Sequence, residues 1–253
     1  VLVSALVDFG TIRFNKGNDL PYVFFLPSYA ATAKFHGEIE GESPEAVFQE
    51  AWDFAHGDYL GALMAGNTLS EERRTEVVAR LVRFTGLTDE EIDRANLRLG
   101  SSYFRKLVLR ESGKSVGRFD ARVVGIDPNK AEVYPDYDAS AAVIKGPFAT
   151  AMNGYLREEI GVESEEIYEV ISGKVHPWDY KPFTNRYVHV GDRLTHAMTE
   201  NPHLRVFVAA GYYDLATPPA AIEYSINHLD IDPSLRKNIS VFYYDGGHMM
   251  YTN

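Results

Sequence analysis

The sequence predicts an α/β protein in which both ends of the chain build a parallel sheet and a long helical segment lies between them. Three observations support this fold class. The chain opens on an apolar run, Val1–Val7, which is typical of a buried strand. A strand–helix–strand pattern occupies residues 204–247 near the C-terminus. Between these ends, residues 40–110 carry helical periodicity and no strand pattern.

Composition narrows the class of protein before any motif is considered. The 253 residues, 45% of them hydrophobic, suffice for one large globular domain or for one domain that carries an insertion. The net charge of -11 repels phosphate backbones and anionic lipids, so we expect neither nucleic-acid nor membrane-surface binding. No apolar run approaches the roughly 20 residues that span a bilayer. The chain has no cysteine, which excludes disulfides and thiolate chemistry.

The opening strand is expected to end near Asp8 to Gly10. The segment "RFNKGNDLPY" that follows is rich in turn formers, and Gly17, Asn18 and Pro21 are expected to interrupt any regular element. A buried strand needs neighbours on both sides to satisfy its backbone hydrogen bonds, and nothing precedes Val1–Val7. We therefore expect the partner of this strand to belong to a segment upstream of the chain.

Helix start and stop signals organise the middle of the chain. Ser43, followed by proline, is a predicted N-cap, and Gly86 is a predicted C-terminal stop for a second helix. Thr88 and Glu91 have the spacing of a capping box at the start of a third helix. These signals predict successive helices over residues 43–100.

The remaining segments are predicted in chain order. Residues 111–147 mix Gly, Pro, Asp and Asn with short β-like pieces and predict loops with one or two short strands. Helices are expected around 146–161, 164–173 and 190–201, with an irregular aromatic stretch at 174–187. Thr217 is predicted to cap a helix that begins at the two prolines after it.

An aspartate and a histidine follow the last two predicted strands. Asp214 comes after "RVFVAAG", and His248 comes after "SVFYYDGG". Because the carboxyl ends of parallel strands meet along one edge of a sheet, we expect these two side chains to lie close together. A carboxylate that orients an imidazole forms the acid–base half of a catalytic triad. The order acid then histidine is the order found in α/β-hydrolases.

The nucleophile that such a pair serves is not evident. The chain contains no G-x-S-x-G motif, and the nearest candidates, Ser101 and Ser102 in "LGSSYF", lie in a helical region and are interpreted as helix surface or cap. The histidines show neither H-x-x-x-H nor H-E-x-x-H spacing, so no metal and no other cofactor is expected. We expect the nucleophilic serine upstream of Val1.

Three stretches together resemble the C-terminal portion of a bacterial serine carboxypeptidase of the α/β-hydrolase superfamily. They are "VLVSALVDFGTIRFNKGNDLPYVFFLPSYAATA" at the start, "NPHLRVFVAAGYYDLATP" around Asp214, and "YYDGGHMMY" around His248. The likeness extends over nearly the whole chain and is most specific around Asp214 and the "GGHM" run. It implies a partial α/β-hydrolase sheet with a large helical cap insertion, without the N-terminal half that bears the nucleophile.

The resemblance also implies a function and a division of the chain. It implies hydrolysis of C-terminal peptide bonds by a Ser-Asp-His triad, with Asp214 as the acid, His248 as the base and Met249 lining the pocket for the leaving residue. Residues 1–25 and 187–253 would form the hydrolase core, and 26–186 the cap. Peptides with a free C-terminus are the expected substrates, and the family suggests a secreted or periplasmic location. The chain alone is expected to be inactive.

Two other functions stay open on the sequence. The same scaffold serves esterases, acyltransferases and lyases, and fold alone does not separate these activities. The chain could also be an inactive interaction fragment, whose partner is the missing N-terminal half of the same protein or a second copy in a homo-oligomer. In either case the unpaired edge of the opening strand is the expected contact.

Overall fold

The computed structural model describes residues 1–252 and shows a mixed α/β protein, which confirms the predicted class. Its strands are β1 (Leu2–Val3), β2 (Lys114–Val116), β3 (Val124–Ile126), β4 (Val206–Gly211) and β5 (Ile239–Tyr244). Its helices are α1 (Leu20–Phe35), α2 (Pro44–Phe54), α3 (Leu60–Ala65), α4 (Glu71–Thr85), α5 (Asp89–Arg94), α6 (Ser101–Leu107), α7 (Ala139–Gly154), α8 (Gly191–Glu200), α9 (Pro219–Asn227) and α10 (Pro233–Arg236). Within residues 1–252, no helix has the length and apolar character needed to cross a membrane.

The two ends of the chain form a small parallel sheet in the order β1-β4-β5. Strand β4 pairs with β5 along its whole length, from Val206 opposite Ile239 to Gly211 opposite Tyr244. Strand β1 pairs with β4 only at two positions, Leu2 opposite Val208 and Val3 opposite Ala209. The carboxyl ends of all three strands therefore lie at one edge of the sheet, as the sequence predicts.

The opening strand is shorter than predicted. The expected strand Val1–Val7 is wrong beyond Val3, because Ser4 has a φ of +46°. This left-handed backbone cannot continue a β ladder. The chain turns at Ser4. Val7 packs instead in a small apolar cluster with Met198 of α8 and with side chains of β4 such as Val208.

Helix α1 is the centre of the main core, and the sequence did not reveal it. Twelve of its sixteen residues are buried, and it packs against α2, α4 and α9. A helix that is apolar on every face has no polar stripe, so it carries no helical periodicity to detect. Pro21, expected to interrupt regular structure, lies in the first turn of α1, where proline is favourable. The predicted boundary between core and cap at residues 25 and 26 falls inside this helix.

Local capping signals were more reliable than long apolar runs. Ser43 accepts a hydrogen bond from the Ala46 amide, and Thr88 forms the predicted capping box with Glu91. Gly86 ends α4 with a left-handed φ of +69°. Strands β2 and β3 pair as an antiparallel hairpin, which confirms the short strands predicted within residues 111–147.

The helix predicted over residues 164–173 is wrong. Asn153 of α7 accepts a hydrogen bond from the Tyr168 amide at 3.0 Å and donates one to the Tyr168 carbonyl, so this backbone bonds to α7 instead of to itself. Ile167 and Tyr168 are exposed. Without a buried apolar face a short helix has little to stabilise it. The helix expected around 146–161 does exist, but it begins earlier, at Ala139.

Candidate active site

The loops after β4 and β5 cross at the carboxyl edge of the sheet. The Tyr213 amide donates to the Gly246 carbonyl at 3.0 Å, which ties the first loop to the second. A Cβ atom on Gly211 would clash with the carbonyl oxygens of Gly246 and Gly247. Only glycine at position 211 lets the two loops approach this closely, and the approach brings Asp214 and His248 together.

Asp214 and His248 form a direct hydrogen bond. The distance from His248 Nδ1 to Asp214 Oδ2 is 2.9 Å. The Asp214 side chain is fully buried, whereas the His248 side chain is 30% exposed. An ionised carboxylate can only accept hydrogen bonds, so Nδ1 carries the proton of the neutral ring. Nε2 then has a free lone pair, and within residues 1–252 no side chain or backbone group forms a hydrogen bond with it.

The buried Asp214 carboxylate is surrounded by donors. Oδ1 accepts from the backbone amides of Ala216 at 2.8 Å and Thr217 at 2.9 Å. Oδ2 lies 2.9 Å from both His248 Nδ1 and the Thr217 hydroxyl. A buried carboxylate is costly unless it is hydrogen-bonded, and these donors compensate for its loss of water. They also fix which oxygen faces the imidazole.

Thr217 belongs to the site and does not cap α9, contrary to the sequence prediction. Pro218 occupies the N-cap position and has no side-chain cap hydrogen bond. The Thr217 hydroxyl instead lies 2.9 Å from Asp214 Oδ2, 2.9 Å from the Ser4 carbonyl oxygen and 3.1 Å from His248 Nδ1. Its single proton serves one of the two oxygen acceptors at a time.

Ser4 fastens the histidine loop to β1. Its hydroxyl donates to the His248 carbonyl oxygen at 2.8 Å, and its own carbonyl faces the Thr217 hydroxyl at 2.9 Å. The residue is buried, and its positive φ of +46° is uncommon for residues other than glycine and asparagine. Ser4 was not among the predicted site residues. It lies in the middle of the strand predicted over Val1–Val7, so no local signal marked it as a residue of the site.

A segment from the β2–β3 hairpin supports the pair from the other side. The His248 amide donates to the Phe119 carbonyl, and the Phe119 ring centre lies 5.3 Å from that of the imidazole. The Leu215 amide donates to the Arg118 carbonyl at 3.0 Å. Residues 118 and 119 therefore hold both the loop after β4 and the loop after β5. Both residues lie in the predicted cap, 26–186, and no role was predicted for them.

The other predicted residues lie around the pair without bonding to it. Ser101 donates to the Leu215 carbonyl at 3.2 Å, at the start of α6, and forms no hydrogen bond with His248. Met249 is partly buried directly after His248, and its carbonyl accepts from the Thr252 amide. Its predicted contact with a leaving residue stays a prediction. In the part of the chain that the structure describes, no group of three His, Asp or Glu side chains is placed to hold a metal ion.

No family model, no curated protein and no solved structure matches the chain. The fold and the site therefore define it only as a mixed α/β protein with a buried Asp–His pair at the carboxyl edge of a parallel sheet. An imidazole in this state is chemically equipped to take a proton at Nε2 and to pass it on, while the carboxylate stabilises the resulting positive charge.

Proposed function

We propose that the protein is a serine carboxypeptidase of the α/β-hydrolase superfamily, in which Asp214 is the acid and His248 the base of the triad. The single observation that supports this most is the 2.9 Å hydrogen bond between Asp214 Oδ2 and His248 Nδ1, formed after adjacent parallel strands. The sequence order, acid before histidine, agrees with it. The resemblance of the flanking segments to this family selects peptides with a free C-terminus as substrates.

In the proposed mechanism, His248 Nε2 removes the proton from a serine hydroxyl as its oxygen attacks the carbonyl carbon of the last peptide bond. Asp214 stabilises the imidazolium. The imidazolium then gives its proton to the departing amine, the C–N bond breaks, and an acyl-enzyme remains. Water repeats the sequence with the same base and releases the shortened peptide. The arrangement of four contacts around the Asp214 carboxylate suits this role because it holds the ring still during both transfers.

The proposal assigns the serine to an N-terminal half of the same protein. Within residues 1–252, β1 is an edge strand that pairs only with β4. A further parallel strand beside β1 would bring its own carboxyl end to the edge where His248 lies. The proposed half would therefore reach the site by extending the sheet, and it would also supply the donors that stabilise the tetrahedral oxyanion.

The test uses a full-length form that includes the upstream coding segment. We expect it to hydrolyse N-blocked dipeptides with a free carboxylate and to leave their C-terminal amides intact, whereas an esterase would cleave small esters regardless of that group. H248Q is expected to abolish turnover. The matched control is H228Q, because His228 is exposed and stacks on Tyr224 away from the pair. Undiminished peptide hydrolysis by H248Q would refute the proposal.

A further inference from the structure

A cavity of about 620 Å³ lies beside the loop that carries Asp214. Leu215 and Ala216 form part of its wall, and the Ala216 amide donates to the Asp214 carboxylate at 2.8 Å. The opposite walls come from the segment before α1 and from the start of α6. The cavity therefore shares its backbone with the loop that orients the triad, although no part of the proposed mechanism uses it.

The lining of the cavity is cationic, against the charge of the whole chain. Four arginines line it, namely Arg13, Arg94, Arg98 and Arg118, and none of its described lining residues is acidic. The chain as a whole carries a net charge of -11. Placing four guanidinium groups around one concave surface raises the local concentration of anions, in contrast to the remainder of the surface.

Two of these arginines already have carboxylate partners. Arg98 binds Asp19 through two nitrogens, with an Nε–Oδ1 distance of 2.8 Å, and Arg94 lies 2.6 Å from Glu90. The net charge of each of these arginine–carboxylate pairs is zero. They position the arginine side chains along the wall, but they contribute little net attraction for a ligand.

The other two arginines are not neutralised. Within residues 1–252, neither Arg13 nor Arg118 forms an ion pair with a carboxylate; each guanidinium lies over an aromatic ring, 5.1 Å from the centre of Phe9 and 5.5 Å from that of Phe119. A stacked guanidinium keeps its in-plane N–H donors available, and their fork matches the two oxygens of a carboxylate. The cavity thus offers two unneutralised cations with free donors.

Arg118 also links the cavity to the catalytic pair. The Phe119 ring, over which Arg118 lies, packs against the imidazole of His248, with ring centres 5.3 Å apart. The Phe119 carbonyl accepts a hydrogen bond from the His248 amide. A ligand held by Arg118 therefore binds to the residue next in sequence to Phe119, which supports the proposed base His248. Much of the remaining lining is apolar and aromatic, with Phe14 and Phe25 beside the arginines, and Ser101 and Ser102 add two hydroxyl groups. Such a surface accommodates an anion that is attached to an organic chain.

We propose that this cavity, called here the arginine cavity, binds the side-chain carboxylate of an aspartate or glutamate in a peptide, with Arg13 and Arg118 as its ligands. The inference rests on the proposed function for the choice of a peptide, since an unmodified peptide brings anions only as carboxylates. It assigns a substrate preference for an acidic residue beside the bond that is cleaved.

The test measures binding, without any need for turnover. Titration calorimetry compares benzyloxycarbonyl-Glu-Phe with benzyloxycarbonyl-Gln-Phe on the 253-residue chain. Both probes have the same terminal carboxylate, so any difference reports the side-chain charge alone. We expect the glutamate peptide to bind about tenfold more tightly at low salt, equivalent to about 1.4 kcal/mol, and less so at physiological salt.

Variants separate the arginine cavity from general charge effects. R13Q and R118Q are each expected to reduce the preference, and the double variant to remove it, whereas R118K keeps the charge but loses the fork and retains only part of the preference. R193Q is the matched control, because Arg193 is exposed on α8, outside the cavity. Equal binding of the two probes, or a preference that survives the double variant, would overturn the inference. Arginine-dependent binding of inorganic phosphate without a preference for glutamate would overturn it as well.

The same variants keep this inference apart from the proposed function. In the full-length form, peptide hydrolysis without any glutamate preference removes the inference and leaves the carboxypeptidase. An arginine-dependent preference in binding, together with hydrolysis that survives H248Q, removes the triad assignment and leaves the arginine cavity.

Discussion

Replacing Asp214 with asparagine tests the geometry of the site with a single nitrogen atom. The asparagine carbonyl must occupy the Oδ1 position, where it accepts from the amides of Ala216 and Thr217 at 2.8 and 2.9 Å. The opposite orientation would place NH₂ against two N–H groups. The amide nitrogen therefore takes the Oδ2 position, 2.9 Å from His248 Nδ1, where it can only donate.

The consequence is a reversed tautomer. In D214N the His248 Nδ1 must accept, so the proton of the neutral ring moves to Nε2, the nitrogen that the proposed mechanism needs as a base. A triad with this tautomer loses about 10⁴-fold in turnover, or about 5.5 kcal/mol of transition-state stabilisation. The fold is affected less, because losing charge-assisted hydrogen bonds is partly offset by no longer burying a charge. We expect the free energy of unfolding to fall by about 1–2 kcal/mol.

The assay is a ¹H–¹⁵N correlation spectrum of histidine-labelled chain. Wild type is expected to show His248 protonated at Nδ1, and D214N to show it protonated at Nε2. His228 is an internal reference, because its Nδ1 lies 2.8 Å from the Tyr224 carbonyl and must remain the protonated nitrogen. D230N is the matched control for the change of aspartate to asparagine, since Asp230 is exposed. A D214N spectrum that keeps the Nδ1–H form would refute this reasoning.

Two further predictions concern Thr217, which bonds to Asp214, and Asp138, which accepts a hydrogen bond from the Arg118 amide. T217V removes the hydroxyl beside the Asp214 carboxylate while keeping the side-chain shape, and urea unfolding is expected to show a loss of about 1.5–3 kcal/mol in the free energy of unfolding. T217S keeps the hydroxyl and should lose less than about 1 kcal/mol. Equal losses in the two variants would contradict the role of the hydroxyl. Burial raises the pKa of Asp138, but hydrogen bonds from Ser140 and from the Arg118 amide outweigh it and hold the pKa below 3.8. A pKa depressed in the folded state contributes stability above the ordinary value, and this contribution is lost as the pH falls through the folded pKa. D138N should therefore lose unfolding free energy less steeply than wild type as the pH falls below 3.8. Parallel plots of unfolding free energy against pH for the two proteins would contradict this prediction.

The sequence predicts the parts of this fold that depend only on residues close together in the chain. Ser43, Thr88 and Gly86 work within one turn of helix, so their signals are visible without knowledge of the remainder of the chain. The length of β1 and the absence of a helix over 164–173 depend instead on Ser4 and Asn153, whose partners lie elsewhere in the chain. Local pattern rules do not include those partners.

The same distinction applies to the site. Asp214 and His248 could be predicted because parallel strands deliver their carboxyl ends to a common edge, whatever lies between them. Ser4 and Phe119 could not, since each touches the pair through contacts that join residues more than a hundred positions apart. Thr217 was noticed for the wrong reason. Its position before two prolines is typical of an N-cap, and only the structure reveals that its hydroxyl turns towards Asp214.

Two departures from local rules converge on the pair. Helix α9 begins without a side-chain cap, which costs about 1 kcal/mol relative to a capped helix, because Thr217 directs its hydroxyl to the site. Ser4 holds a left-handed backbone, at a cost of about 1–3 kcal/mol, and its hydroxyl and carbonyl fasten His248 and Thr217. A loop that served only to connect strands would gain stability by relaxing both features. Both features are centred on one carboxylate and one imidazole, which supports the proposed role of His248 as a base.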